Sequence, residues 1–325
     1  MISPDALARL AYSGSHALAT IAARLLPANW NPGLRAYEVV AELGLAPGRT
    51  AFATAVLESF LRSLVLQRYL VTLDSDALRA FVERRVAFEG VMAPPRLFSE
   101  TRPLIFATPH YGAPVAALVA SAQLLRGSRT LNVFYDKAQQ SEHLQYFFAR
   151  AGIQTHGQLG GLSGIRNSLR ALERGECLAI LPDAFEDIAQ TLVVPFFDRL
   201  LRVASGTAFL ALRSGALIVP TFAMPARTLG LHVQVGDPID PLRLGPVDQA
   251  QAIFALSRLL FVRIEEQLRF APEHWRNWEM LPAVSTAIGT RAELNDSELL
   301  LALQAKLHAL PPALQDIPEL ELLLS

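Results

Sequence analysis

The sequence has few of the features that mark several common protein classes. It holds one cysteine, Cys177, within the apolar run 177–181, so a disulfide framework is excluded and a buried filler in a reducing compartment is the favoured interpretation. No stretch reaches the ~18 uninterrupted apolar residues of a membrane span, and the N-terminus lacks a charged start followed by an apolar signal core. We therefore expect a cytoplasmic protein.

An excess of charge of one sign is also lacking. The chain of 325 residues has 29 Lys and Arg against 30 Asp and Glu, so no overall field would gather nucleic acid, and we expect no such partner. Hydrophobic residues make up 51% and charged residues 18%, which indicates apolar surface that a membrane or a hydrophobic ligand would cover. Residues 5–26 form an amphipathic stretch that could lie peripherally on the inner face of the cytoplasmic membrane, although such helices more often pack on their own core.

The spacing of apolar residues changes along the chain. Residues 1–90 show helical spacing and predict four helices, and from about residue 102 short apolar runs alternate with helical stretches. The alternation predicts an α/β fold with a mostly parallel sheet flanked by helices. Strands are predicted at 104–108, 130–135, 177–181, 216–222 and 231–235, with helices at 114–126, 139–151, 163–174, 205–214 and 249–270.

Three regions follow from this pattern. We expect an N-terminal helical region at 1–90, an α/β domain at 91–284 and a C-terminal helical tail at 285–325. The tail has one predicted helix at 295–309, a break at Pro311-Pro312 and an acidic, leucine-rich end. That end could dock on a protein partner or cover apolar surface of the chain itself.

A histidine stands two residues beyond the first predicted strand, where reactive groups gather in such folds. His110 belongs to the first of four segments that follow one another along the chain. They are His110-Tyr111-Gly112, a basic helix and strand ending in Pro182-Asp183, the stretch Val194-Pro195-Phe196-Phe197, and the tryptophan-rich run 272–278. Over about residues 50–280 the chain resembles the lysophospholipid acyltransferase superfamily, in its lipid A late acyltransferase branch.

The resemblance implies transfer of an acyl chain from an acyl carrier protein or CoA thioester to a hydroxyl or amine, with His110 as general base. It implies no metal and no cofactor beyond the thioester co-substrate. In the family a carboxylate five residues after the histidine orients the imidazole. Here that position is Val115, preceded by Ala113 and Pro114, so the acid is missing.

Other acids follow the strand that ends at Leu181 and should reach the same rim as His110. Asp183 matches an acid that the family keeps, and Glu186 and Asp187 come next; the candidate catalytic residues are therefore His110, Asp183 and Glu186. Each acid could instead cap a turn or lie in a solvated loop. The candidate substrate-binding residues are Tyr111, Gly112, Lys137, Arg166, Phe196 and Phe197, of which Lys137 and Arg166 could bind an anionic donor, and the two phenylalanines could line an apolar wall or core.

Two functions remain open from the sequence. The first is an active acyltransferase with a specialised acceptor, in lipid or secondary metabolism. The second is a catalytically weakened pseudoenzyme that keeps the fold and binds acyl chains or acyl carriers as a scaffold, because losing the orienting acid of a related template costs about four decades in rate.

Overall fold

A computed structural model describes residues 3–46, 48–135, 148–149, 155–159, 161–185 and 191–287. Its helices are α1 (Pro4–Leu25), α2 (Pro32–Glu42), α3 (Arg49–Leu70), α4 (Ser75–Arg85), α5 (Pro94–Ser99), α6 (Pro114–Leu125), α7 (Gly161–Glu173), α8 (Gly206–Ser214), α9 (Gln249–Phe270) and α10 (Leu281–Val284). Its strands are β1 (Val86–Glu89), β2 (Leu104–Ala107), β3 (Leu131–Tyr135), β4 (Thr155–Leu159), β5 (Cys177–Ile180), β6 (Thr191–Phe196), β7 (Arg199–Ala204), β8 (Leu217–Pro225), β9 (Leu231–Val235) and β10 (Ser285–Ala287).

The four helices predicted in the N-terminal region are confirmed as α1 to α4. Their ends follow local chemistry: the Ser3 side chain accepts a hydrogen bond from the N–H of Ala6, and that of Asn31 accepts one from Leu34, each ahead of a proline in the first turn. Small residues let α1 pack on α3, with Ala19 and Ala23 of α1 buried against α3. Within the described residues, no helix is both long and apolar enough to cross a membrane.

The predicted mostly parallel sheet is confirmed. Seven strands lie in the order β1-β9-β8-β2-β5-β3-β4, and every neighbouring pair is parallel except β8 and β9. The central strands β2 and β5 are buried along their whole length, as expected for strands covered on both faces. The two edge strands, β1 and β4, were not predicted, because each is short and neither carries the apolar run that identifies a buried strand.

A second, three-stranded antiparallel sheet was also missed. It has the order β10-β7-β6, and β6 and β7 form a hairpin around the Phe196-Phe197 pair. Phe197 adopts a positive φ of 53°, and its backbone N–H donates to a carboxylate oxygen of Glu265 at 2.8 Å. The buried Glu265 of α9 therefore fixes this turn, and no local sequence pattern predicts this contact.

Parts of the prediction fall outside the described residues. These are most of the helix predicted at 139–151 and all of the tail from residue 288 onward. The predicted helices at 114–126, 163–174, 205–214 and 249–270 correspond to α6, α7, α8 and α9. Helix α6 is buried almost all round, which matches its nearly continuous apolar sequence.

Candidate active site

Two neighbouring parallel strands bring His110 and Asp183 to one edge of the large sheet. In the register of β2 and β5, Ala107 pairs with Ile180, so His110 and Asp183 are each the third residue beyond the last paired residue. The N–H of Thr108 continues the pairing by donating to the carbonyl of Ile180 at 3.0 Å. The chain therefore leaves both strands at the same level.

The imidazole of His110 and the carboxylate of Asp183 are in direct contact. Nδ1 of His110 lies 3.0 Å from Oδ1 of Asp183, and the backbone N–H of His110 lies 3.0 Å from both carboxylate oxygens. The side chain of His110 is 36% exposed, whereas that of Asp183 is fully buried. A carboxylate at Nδ1 fixes the ring and stabilises the imidazolium that forms when the other nitrogen, Nε2, takes a proton.

Two more side chains donate to the same carboxylate. The indole N–H of Trp275 donates to Oδ2 of Asp183 at 2.7 Å. Nδ2 of Asn277 lies 3.1 Å from Oδ2 and 2.8 Å from the backbone oxygen of Asp183, and 3.4 Å from Nδ1 of His110. These donors offset the cost of burying a carboxylate. No local pattern places either side chain beside Asp183, because their partner lies more than ninety positions away in the chain.

The turn that carries His110 is held from two directions. The N–H of Gly112 donates to the carbonyl of His274 at 2.7 Å, and the N–H of Ala113 donates to the carbonyl of Ala223 at 2.9 Å. Gly112 has φ +57°, and a Cβ there would collide with the carbonyl oxygen of Ala223. Glycine is thus required at this position both by backbone conformation and by the close approach of β8.

The run 274–276 ties the same turn to helix α3. The N–H of Arg276 donates to the carbonyl of His110 at 2.9 Å, and its guanidinium donates to Ser63 at 2.7 Å. His274 lies 2.7 Å from the hydroxyl of Ser59, and burial lowers the pKa of its imidazole to about 4. His274 is therefore neutral near pH 7 and serves the structure of the loop.

Three of the candidate binding residues pack inside the fold. The ring of Tyr111 is fully buried, its hydroxyl donates to the carbonyl of Ala271 at 3.1 Å, and burial raises its pKa. Phe196 and Phe197 are also buried, with ring centroids 4.8 Å apart. The Phe196 ring packs edge-on against Trp275 at 5.8 Å, so it supports the tryptophan that contacts Asp183.

The remaining candidates are more scattered. Arg166 is exposed on α7. Lys137 and the acids Glu186 and Asp187 lie outside the described residues. Val115, at which the resemblance implies an acid, is half-buried as the second residue of α6. In the described ranges, no group of three or more His, Cys, Asp or Glu side chains is arranged to hold a metal ion.

The sequence matches the model of a known protein family. A family model described as "Bacterial lipid A biosynthesis acyltransferase" matches residues 49–278 of the chain. The matched range runs from the start of α3 to Trp278, so it includes His110, Asp183, Trp275 and Asn277. No curated protein matches the chain.

Proposed function

The chain belongs to the bacterial lipid A biosynthesis acyltransferase family, and from that premise we propose that it transfers an acyl chain from an acyl carrier protein or CoA thioester to a hydroxyl or amine acceptor, with His110 as general base. The family is an acyltransferase family, which supports acyl transfer in general. One observation carries the finer proposal: Nδ1 of a partly exposed histidine lies 3.0 Å from a fully buried carboxylate at the carboxyl end of the sheet.

In the proposed reaction, Nε2 of His110 removes the proton of the acceptor while the acceptor attacks the thioester carbonyl. A carbon–oxygen or carbon–nitrogen bond forms and the carbon–sulfur bond breaks. The imidazolium then returns its proton to the departing thiolate, so neither a metal nor a redox cofactor enters the balance. Asp183 orients the ring and stabilises the charged form, which is the work that the family assigns to the acid at the position of Val115.

The donor is proposed to be held by cations. Phosphopantetheine and CoA carry phosphate, and a guanidinium or ammonium group is the usual protein partner of phosphate. Arg166 suits this purpose because it is exposed on α7, which follows β4, and β4 runs parallel to β5, β3 and β2, so its carboxyl end lies on the same side of the sheet as that of β2. Lys137 is the second candidate, and the acceptor remains a hydroxyl or amine of specialised lipid or secondary metabolism.

We also propose that the protein works in the cytoplasm, at the inner face of the cytoplasmic membrane, and that it meets that membrane through α1. The buried face of α1 packs on α3, as its amphipathic sequence favoured. The opposite face carries five large apolar residues, each more than half exposed, at the spacing of a single helical stripe; they are Leu7, Leu10, Leu18, Ile21 and Leu25. We call these residues the α1 stripe. Trp30, also exposed, follows it, and tryptophan favours the water–lipid boundary.

The function is tested by turnover with acyl carrier thioesters and candidate acceptors. An orienting carboxylate in a Ser-His-Asp triad is worth roughly four decades of kcat, so we expect His110→Ala and Asp183→Asn to lower kcat by roughly 10²- to 10⁴-fold. His232→Ala is the matched control, because His232 is 35% exposed and also contacts a carboxylate, that of Glu89, but lies on β9. If wild type and His110→Ala turn over equally slowly, the hypothesis that His110 is the general base is refuted, and the scaffold function takes its place.

A further inference from the structure

The segment from Pro272 to Trp278 closes over the buried carboxylate of Asp183. Trp275 and Asn277 reach it with one neutral donor group each, and both side chains are themselves buried. Their common target is Oδ2, whereas Nδ1 of His110 faces Oδ1. The side chains of this segment therefore meet one carboxylate oxygen and the imidazole meets the other, while the backbone N–H of His110 lies 3.0 Å from both.

We propose that Trp275 and Asn277 are positioning residues that hold the Asp183 carboxylate in the rotamer at which Oδ1 faces His110. This inference rests on the proposed function, in which His110 is the base. A carboxylate can rotate about its terminal torsion, which is broad, unless its oxygens are fixed by specific donors. With the Trp275 indole and the Asn277 amide on Oδ2, rotation would break two hydrogen bonds to a side chain that has no exposed surface of its own.

Asn277 is suited to this work because both of the Asp183 atoms that its amide reaches are acceptors. Its Nδ2 lies 2.8 Å from the backbone oxygen of Asp183 and 3.1 Å from Oδ2, so the amide orientation is set and only the NH₂ group can occupy this position. The same contact fixes the backbone and the side chain of Asp183 together. An aspartate at position 277 would instead face the Asp183 carboxylate, and two like charges at this distance disfavour ionisation of both.

Trp275 is held in place by aromatic packing. Its ring lies edge-on to Phe196 at 5.8 Å and to Trp278 at 4.7 Å. Trp278 is equally buried, but its indole N–H donates to the carbonyl of Pro272 at 2.7 Å and not to Asp183. The two tryptophans therefore offer a comparison between the same substitution with and without the contact to the carboxylate.

The first experiment compares Trp275→Phe and Asn277→Ala with Trp278→Phe in turnover assays of the full chain. Loss of one donor to a buried carboxylate should lower kcat by about 10- to 100-fold with KM changed less than about twofold. Trp278→Phe keeps an aromatic ring beside Trp275 and leaves both side-chain donors to Asp183 in place, so kcat should stay within about threefold of wild type. Equal losses in Trp275→Phe and Trp278→Phe, or an effect confined to KM, would overturn the inference.

A second pair of variants tests the charge. Asn277→Asp places another carboxylate beside Asp183 and His110, so the rising limb of the kcat–pH profile should move to higher pH. Asn277→Ala should lower kcat without that movement. Identical profiles for the two variants contradict the proposed geometry.

A readout without turnover separates this inference from the proposed function. In protein labelled with ¹⁵N-histidine, with His110 assigned by His110→Ala, the Nδ1 signal of His110 should shift in Trp275→Phe and Asn277→Ala and stay at the wild-type position in Trp278→Phe. An unmoved signal in the first two variants refutes positioning, whatever the activity. If the Nδ1 signal moves in these variants but His110→Ala turns over as fast as wild type, the positioning role stands and the proposed catalytic function is refuted.

Discussion

Replacement of Gly112 by alanine, which adds a single methyl group to the turn that carries His110, should damage the site. Gly112 has φ +57°, and a Cβ there would lie roughly 1 Å closer to the carbonyl oxygen of Ala223 than such atoms approach in proteins. That carbonyl belongs to β8 and already accepts from the N–H of Ala113. Neither partner is a flexible side chain, so the turn itself must move.

The size of the effect has two parts. A left-handed conformation costs a non-glycine residue roughly 1–2 kcal/mol, and removing the overlap requires a shift of roughly 1 Å in the turn that carries His110. Since a 1 Å misplacement of a reacting group can cost about 100-fold in rate, we expect Gly112→Ala to lower kcat by about 100-fold. We also expect the free energy of unfolding to fall by about 2–4 kcal/mol.

The assay combines turnover with urea denaturation, and Gly127→Ala is the matched control. Gly127 has φ +81°, but a Cβ there meets no atom within 4 Å, so its replacement carries the conformational cost alone. We expect that control to lose about 1 kcal/mol of stability and to keep its kcat. Equal stabilities in the two variants, or full activity in Gly112→Ala, would refute the close approach of β8 to the turn.

Two further predictions concern His274 and the α1 stripe. Burial lowers the pKa of His274 to about 4, below its value of about 6.5 in an unfolded chain. As the pH drops, the unfolded state therefore takes up the proton first. The free energy of unfolding should fall by up to about 3 kcal/mol between pH 6.5 and pH 4. Urea denaturation should show a smaller fall in His274→Gln, and an equal fall would assign the effect to other groups. Leu18→Glu, on the α1 stripe, should reduce sedimentation with anionic phospholipid vesicles by about tenfold, whereas Ser13→Glu, on the polar side of α1, should not. Failure of the wild-type chain to sediment with the vesicles would refute the membrane contact.

Local patterns were enough to predict most of the architecture. The long amphipathic stretches gave α1 to α4, and the buried apolar runs gave five of the seven strands in the large sheet. The misses have two causes: β1 and β4 are short and have no continuous apolar run, whereas the apolar run of β6 contains Pro195, a residue that argues against a strand. Their pairing depends on neighbours that are distant in the chain, such as β9 for β1.

Local sequence patterns likewise identified some residues of the candidate site and not others. The position of His110 after a strand and the missing acid at Val115 could both be read from the sequence, as could Asp183 as one of several candidates. The sequence offered Tyr111 and the two phenylalanines as binding residues, but their burial gives them packing contacts that support the turn and Trp275. Trp275 and Asn277 were recognisable only as part of a tryptophan-rich run.

By itself, then, the amino-acid sequence determined the α/β class, the order of the main elements and the strand end that carries His110, because periodicity and turn chemistry act over a few residues. Tertiary structure alone decided which carboxylate meets the imidazole and which side chains surround it. Those contacts join positions 110, 183, 275 and 277, and they depend on the register of β2 with β5 and on the packing of the run 272–278 across the turn. Such distances are set by the closed, close-packed fold and leave no local signature in the chain.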